Sequence, residues 1–249
     1  MIRTTALTTA LFAGTAFAQS PNPLFSISSS NNNGDSSLSS NDMNGSIVSE
    51  IDFLQWTLDA PVEFENGAIL ESATIIITGG SNQQETNGSG SSNFTTNPSV
   101  SLAFAVSAGN LDTSFTISSA TNFFSTINPA SALASASVTT TQDPVGLGTA
   151  TTTGNFASGD IYSAFINGSL FADLVAGTLS TSTGITGTED SNGGVFFGVG
   201  SASSISSQFS FTLTANDLAS GTSSFVIIPA PGAAAGLAMA GLFAARRRR

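Results

Sequence analysis

The sequence contains no cysteine, no histidine and no lysine, and its five basic residues are all arginines. Without the first three residue types, Ser-His-Asp and Cys-His catalysis, disulfide bonds and ordinary zinc sites cannot be assembled. The side chains that remain for acid-base or metal chemistry are the 16 Asp and Glu residues. We therefore expect a protein that is not an enzyme, and carboxylate-dependent glycoside hydrolysis is the one enzymatic alternative that the composition leaves open.

The basic residues are confined to the two ends of the chain. Arg3 lies near the start, and Arg246, Arg247, Arg248 and Arg249 close the sequence. Residues 19–228 hold every carboxylate and no basic side chain, so no ion pair can form within this body. Its stability must come from apolar burial and backbone hydrogen bonds. Its uniformly negative field excludes nucleic acid as a partner, because nothing in the body neutralises phosphate, and it disfavours adsorption to anionic lipid.

The first 20 residues, MIRTTALTTALFAGTAFAQS, have the three parts of a secretory leader. Arg3 supplies the basic region, an apolar stretch follows from Ala6 to Phe17, and Ala16 and Ala18 have the A-x-A spacing of a cleavage site. We predict a helical signal peptide over residues 1–18 that is cut after Ala18, followed by an exported body over residues 19–228.

The body has the pattern of many short strands, with apolar stretches separated by Ser, Thr, Gly and Asn. VSLAFAVSA, residues 100–108, alternates strictly, and the alternation resumes at Leu111 after Gly109-Asn110, which predicts a β-hairpin. ISSQFSFTLT, residues 205–214, alternates in the same way. We expect an all-β body of about ten strands, built as an antiparallel two-layer sandwich or jelly roll. A β-solenoid would need a fixed repeat, which the sequence lacks.

Several segments give finer predictions. The alternation of Ala with Ser in residues 130–138 indicates a strand whose inner face needs thin side chains, and three adjacent isoleucines in SATIIIT indicate a strand buried on both faces. A change of phase near Phe53-Leu54 predicts a β-bulge. Residues 163–177 read either as a helix or, as we favour, as two strands joined by an Asn-Gly turn. Two polar stretches, residues 28–45 and 79–97, are predicted to be loops.

Acidic and amide side chains in two turn-rich stretches suggest calcium as the metal, since calcium takes six to eight oxygen ligands. The candidate ligands are Asp35, Asp42 and Asn44 in the first stretch and Glu189 and Asp190 in the second. Neither stretch matches an EF-hand loop, and the same residues are those that form turns. The carboxylate pairs open to glycosidase chemistry are Glu50/Asp52, Glu63/Glu65 and Glu189/Asp190, although their alternation with apolar residues is typical of a solvated strand face.

The last 21 residues read PAPGAAAGLAMAGLFAARRRR, a Pro-x-Pro motif, a short apolar run and an arginine cluster. The run from Gly232 to Ala245 would form a helix of about 21 Å at 1.5 Å per residue, and the arginines would keep its end in the cytoplasm. This arrangement resembles the PEP-CTERM sorting signal of Gram-negative bacteria, with Ala230 between Pro229 and Pro231 where that family has glutamate.

The resemblance implies a transmembrane anchor, at least a transient one, over residues 229–249, a sorting enzyme of the exosortase type, and export together with exopolysaccharide. It covers the tail only. For the body we expect a non-enzymatic structural protein of the cell surface or extracellular matrix, without a required cofactor. A carbohydrate-binding module, with or without calcium, is the alternative, and Trp56 and Tyr162 are the aromatic side chains best suited to stacking on sugar rings.

Overall fold

A computed structural model of the chain describes residues 23–50, 52–79, 96–143, 148–182, 184–191 and 195–230. Within these ranges the chain forms sixteen strands and no helix, and so no helix that could cross a membrane. The expected leader helix and the expected C-terminal helix fall outside the described residues. The strands are β1 Phe25–Asn31, β2 Gly34–Ser39, β3 Gly45–Glu50, β4 Phe53–Leu58, β5 Val62–Glu63, β6 Ile69–Thr78, β7 Ser99–Ser107, β8 Thr113–Ser119, β9 Asn122–Thr141, β10 Ala150–Gly154, β11 Asp160–Ile166, β12 Ser169–Ala176, β13 Thr178–Thr181, β14 Ile185–Ser191, β15 Phe197–Leu213 and β16 Leu218–Pro229.

All the strands belong to one sheet in the order β2-β1-β8-β15-β9-β16-β7-β6-β4-β3, with β5 and β10 to β14 attached beside it. Every pairing is antiparallel. The predicted all-β class is therefore confirmed, with more strands than expected. The sheet is curled, so that the half containing β1, β8 and β11 faces the half containing β16, β7 and β4.

Aromatic rings join the two facing halves. Phe25 of β1 stacks on Trp56 of β4 with ring centroids 5.6 Å apart, and Phe171 of β12 stacks on Phe225 of β16 at 5.5 Å. Between these contacts, the ring of Phe104 in β7 meets the rings of Phe209 and Phe211 in β15 at 4.9 and 5.9 Å. Since aromatic pairs with this geometry add stabilisation to the burial of their area, these contacts hold the curl closed.

Strict alternation in the sequence marks the inner face of this sheet. In the 100–108 segment the alternate residues Val100, Leu102, Phe104, Val106 and Ala108 are all buried. So are Phe115 and Ile117 of β8 and Ile205, Phe209, Phe211 and Leu213 of β15. The thin face predicted for β9 is confirmed, because four alanines there are buried and the Cα atoms of β9 and β12, which are not paired, come within 8 Å. That spacing is shorter than the ~10 Å usual between packed sheets.

The corner of the curl is a bent two-stranded ribbon. β8 and β9 run one after the other along the same long partner, with β8 paired to residues 208–213 of β15 and the start of β9 paired to residues 197–205. The second pairing contains three register shifts, between Gly198 and Gly200, Gly200 and Ala202, and Ala202 and Ser204. Such irregularities let a strand bend from one layer into another. Asn122 fixes the bend, since its Nδ2 donates to the carbonyl oxygens of Thr78 and Ser99.

Two predicted connections are wrong. β7 and β8 do not form a hairpin, because β7 pairs with β6 and β16 while β8 pairs with β1 and β15. The Gly109-Asn110 turn instead carries the chain from one half to the other, and Gly109 accepts a hydrogen bond from the backbone N–H of Asn216. The predicted bulge at Phe53-Leu54 is absent, because β3 and β4 pair without a register shift and Glu50 faces Phe53 across a turn that includes residue 52. Asp52 in this turn has φ of 60°.

Of the remaining local predictions, one is confirmed, two are wrong and one falls mostly outside the described residues. The interpretation of residues 163–177 as two strands is confirmed: β11 and β12 form a hairpin whose turn, Asn167-Gly168, has φ of 51° and 76°, as a type I′ turn requires. Residues 28–45 are not a loop but mostly the β1–β2 hairpin. β6 is buried on one face only, with Ile76 half-buried on the other. Of the second predicted loop, residues 80–95 lie outside the described ranges.

Gly221 of β16 lies at a tightly packed point of the core, so a larger residue there would measure the cost of overpacking. A Cβ atom at this position would lie 2.6 Å from the ring of Phe104, which the rings of Phe209 and Phe211 hold in place. We predict that Gly221→Ala lowers the free energy of unfolding by about 1–3 kcal/mol, the usual effect of overpacking a core, as measured by urea unfolding at 25 °C.

Gly198→Ala is the matched control, because a Cβ atom at Gly198 would meet nothing within 4 Å. Its effect should stay within about 0.5 kcal/mol, as for most exposed positions. Equal effects of the two substitutions would show that contact with Phe104 is not what makes glycine necessary at position 221.

Candidate functional site

The first group of candidate calcium ligands is spread along one hairpin. Asp35 lies at the start of β2, where it accepts a hydrogen bond of 2.5 Å from the hydroxyl of Ser30. Asp42 lies in the turn after β2 and accepts bonds from the backbone N–H and the hydroxyl of Ser39, at 3.0 and 2.6 Å. Asn44 follows in the same turn, and its carbonyl oxygen accepts from the N–H of Asp59. β2 itself separates the carboxylates of Asp35 and Asp42, so the structure does not bring them together.

The second group lies on another part of the sheet. Glu189 and Asp190 are in β14, where they pair with Ser137 and Ala136 of β9. The first and second groups are thus on different strands. Within the described residues, no three acidic side chains are grouped as a metal ion would require. Calcium binding stays a prediction, which calorimetric titration would test.

The two aromatic residues proposed for sugar stacking face inward. Trp56 and Tyr162 are 1% and 0% exposed, respectively, and both pack against phenylalanine rings of the core. Neither ring can lie against a carbohydrate in this conformation. The carboxylates of Glu63 and Glu65, one of the pairs considered for glycosidase chemistry, are exposed on either side of the buried Phe64.

The outer faces of the sheet carry ordered rows of polar side chains, most of them hydroxyls. On β2, β1, β8 and β15, three rows cross the strands in register: Ser39–Ser26–Ser118–Gln208, Ser37–Ser28–Thr116–Ser210 and Asp35–Ser30–Ser114–Thr212. Neighbours in these rows bind each other, with Ser114 and Thr212 oxygens 2.7 Å apart and Gln208 donating to Ser118 at 2.8 Å. Hydroxyl pairs therefore occupy the cross-strand positions where other sheets place charge pairs.

The other outer face has a shallow groove across β6, β7, β16 and β9, with a volume of about 270 Å³. Its floor is the backbone around Gly221, together with Ala103 and Ala105 of β7. Hydroxyl side chains line its sides, namely Ser72, Thr74, Ser137, Thr139, Ser220 and Thr222. Ser137 and Thr222 oxygens lie 2.9 Å apart. The groove is slightly smaller than a typical small-molecule site and has no charged side chain in its lining.

Three buried hydroxyl groups share the interior between the halves. They belong to Tyr162 of β11, Ser207 of β15 and Ser223 of β16, and none of the three oxygens makes a hydrogen bond of regular geometry. Burial raises the pKa of Tyr162 above its usual value, while the nearby hydroxyls of Ser207 and Ser223 lower it to a smaller extent. The phenol is thus held neutral, and the alternation in the sequence gave no sign of this cluster, since Ser207 lies beside Ser206 in a serine-rich strand.

The described chain ends inside the proposed sorting motif. β16 lies between β7 and β9 and ends at Pro229, which pairs with Ala130, and the N–H of Ala230 donates to the carbonyl oxygen of Pro129 at 2.9 Å. Pro231 and the four terminal arginines lie outside the described residues, as do Ala16 and Ala18 of the predicted cleavage site. Comparison with protein-family models, with curated proteins and with solved structures finds no match to this chain.

Tyr162 predicts how stability depends on alkaline pH. Its pKa is raised in the folded state, so stability is complete below the unfolded pKa of about 10 and falls above it, by about 1.4 kcal/mol per pH unit until the folded pKa is reached. The sequence has one tyrosine and no lysine or cysteine, so no other side chain titrates in this range. Urea unfolding at several pH values between 8 and 11.5 would measure the slope.

Tyr162→Phe is the control for this dependence. The variant should keep or gain stability at pH 7, because it removes a buried hydroxyl without a regular partner, and it should have no slope above pH 10. Absorbance at 295 nm should show no tyrosinate in the folded wild-type protein at pH 10.5. Ionisation there without unfolding would contradict the assignment.

Proposed function

We propose that the chain is an exported, non-enzymatic structural protein of the cell surface or exopolysaccharide matrix of a Gram-negative bacterium, delivered by a C-terminal sorting anchor. One observation carries the proposal: the last strand of the sheet, β16, is complete at Pro229, where the Pro-x-Pro motif begins. Removal of the following segment would leave every pairing of β16 with β7 and β9 in place. A tail that can be lost without harm to the fold is what a sorting signal requires.

The make-up of the body supports a structural role. Its two facing halves, which we propose to describe as a sandwich, are held together by aromatic contacts. Within each half, hydroxyl pairs rather than ion pairs join neighbouring strands. Such a body does not depend on basic groups that would bind the acidic polymers around it. Its negative charge also keeps copies apart in solution.

The proposal predicts the covalent form of the mature protein. Expressed in a bacterium with an exosortase-type system, the protein should begin at Gln19 and should have lost the arginine cluster, which intact-mass measurement of the extracellular fraction would show. Replacing Arg246 to Arg249 by serine should reduce membrane retention of the precursor, because the cluster fixes the cytoplasmic end. A chain that stops after Ala230 is the control and should be exported and released without an anchored precursor.

Two results would contradict the proposal. A full-length protein found soluble in the cytoplasm, with its leader intact, would overturn both the export and the anchoring proposals. An exported protein that keeps its arginines would overturn processing alone.

The hydroxyl-lined groove favours carbohydrate binding as a second candidate function. Thr74 and Thr222 stand on opposite sides of the groove and could exchange hydrogen bonds with sugar hydroxyls. On a glycan array, a sugar bound by the wild-type protein should lose binding several-fold on Thr74→Val and Thr222→Val. Ser28→Ala, on the other outer face, is the control and should bind as the wild type does. Array binding that depends on calcium would point instead to the acidic turns.

A further inference from the structure

One end of the sheet differs from the rest of its surface in being apolar. Along the outer face of β16, the side chains change from the hydroxyls of Ser220, Thr222 and Ser224 to the aliphatic groups of Val226 and Ile228. Leu133 of β9 pairs with Val226, and Val195, Phe196 and Phe197 lie beside the same end of β9 with 56%, 43% and 48% of their surface exposed. We call Leu133, Val195, Phe196, Phe197, Val226 and Ile228 the tail-end patch.

The patch surrounds the point at which the chain leaves the sheet. Ile228 lies across from Ser131, which pairs on its other side with Gly198, so β16, β9 and β15 are adjacent here. Neighbouring strands lie about 4.8 Å apart, which places Phe197 within about 10 Å of the exit of β16. Only Ala230 and Pro231 separate Pro229 from the apolar run that begins at Gly232, and two residues span about 7 Å at most.

Carboxylates flank the opposite end of the same strands. β9, β15 and β16 contain no charged residue. The carboxylate of Asp217, directly before β16, accepts from the N–H of Asp143 at 3.3 Å, and that of Asp112 accepts from the N–H of Ala215 at 2.9 Å. Asp217 stands about 40 Å along β16 from Pro229 at the usual rise of ~3.3 Å per residue. Carboxylates therefore flank one end of β9, β15 and β16, and the tail leaves from their other, apolar end. The acidic residue in register with Val226 is Glu50, four strands away on β3.

We propose that the tail-end patch rests in the interfacial layer of the lipid bilayer while the precursor is anchored. This inference depends on the anchor proposed above, since it is the short connection to residues 232–245 that brings the patch to the membrane. Phenylalanine and aliphatic side chains are favourable at that depth, and the body has no basic group to bind anionic headgroups. The interaction should accordingly be as strong with phosphatidylcholine as with anionic lipid.

The sequence has no cysteine, so a variant with one introduced cysteine takes a nitroxide label at that position alone. Full-length Val195→Cys, Asn110→Cys and Ala240→Cys would be labelled and reconstituted into phosphatidylcholine vesicles. Asn110 is exposed in the turn at the acidic end, where its neighbour Gly109 meets Asn216, and serves as the matched control. Ala240 lies in the apolar run and reports on the anchor itself. Collision with a water-soluble nickel complex and with oxygen, which concentrates in lipid, would be measured for each label.

We expect the label at position 195 to lose contact with the nickel complex several-fold and to gain contact with oxygen on reconstitution, while the label at 110 is unchanged. A label at 195 that stays open to water while the label at 240 is in lipid would overturn the patch inference and leave the anchor standing. If the labels at 240 and 195 both stay in water, the anchor fails and this inference with it. A label at 195 shielded from both reagents would show that protein covers the patch, which also overturns the inference. An unchanged emission spectrum of the buried Trp56 would confirm that each variant is folded.

Discussion

The structure depends on a single constraint, which is that a body without any positive charge must pair its polar groups by neutral hydrogen bonds. In most sheets, cross-strand positions on the outer face are filled partly by Lys or Arg opposite Glu or Asp. Here the same positions carry Ser and Thr, as in the pairs Ser114–Thr212, Thr116–Ser210 and Ser137–Thr222. These hydroxyls both donate and accept, so each can bind a neighbour without a partner of opposite charge. The carboxylates also bind neutral donors, and in turns Asp42, Asp112 and Asp217 accept bonds from backbone N–H groups or nearby hydroxyls.

This constraint explains why the pairing and register of the strands are specified mainly by side chains of the interior. With hydroxyl rows nearly alike along every strand, the outer face gives little information about which strands pair or in which register. The inner face must supply it through side chains of different size. Gly221 leaves room for the ring of Phe104, Gly45 leaves room for that of Trp56, and the alanines of β9 allow β12 to approach. The large rings and the thin positions are complementary, and a shifted register would set ring against ring.

The sequence predicted the local structure well and the long-range pairing poorly. Alternation identifies the buried face of β7, β8 and β15 because a strand with one face in the core has a period of two, whatever its neighbours are. It cannot tell whether a Gly-Asn turn joins two strands of one ladder or carries the chain across the core. At Gly109-Asn110 the second case holds, whereas at Asn167-Gly168 the first does. The difference is that β8 and β9 together follow β15, a partner almost 100 residues away from β8 in the chain, and no local pattern contains that information.

The site could be predicted to a similar extent. No pattern showed that Tyr162 would meet two serines from distant strands, or that Asp35 and Asp42 would be separated by an intervening strand. The hydroxyl-lined groove needed the registers of β6, β7, β16 and β9 together. The composition excluded more classes of function than the positions of individual residues did, because the absence of Cys, His and Lys holds for any arrangement of the chain.

The same reasoning links the fold to the tail. If the hydroxyl pattern continued to the end of β16, the surface would be polar and uncharged at the point where the chain leaves the sheet. In β16 the outer face instead becomes aliphatic over its last two outward positions, next to exposed phenylalanines of the corner ribbon. Exposed apolar side chains grouped in this way are costly in water unless another surface covers them. These side chains lie where the chain leaves the sheet, whereas Asp217 directly precedes the other end of β16, so this strand runs from an acidic end to an apolar one.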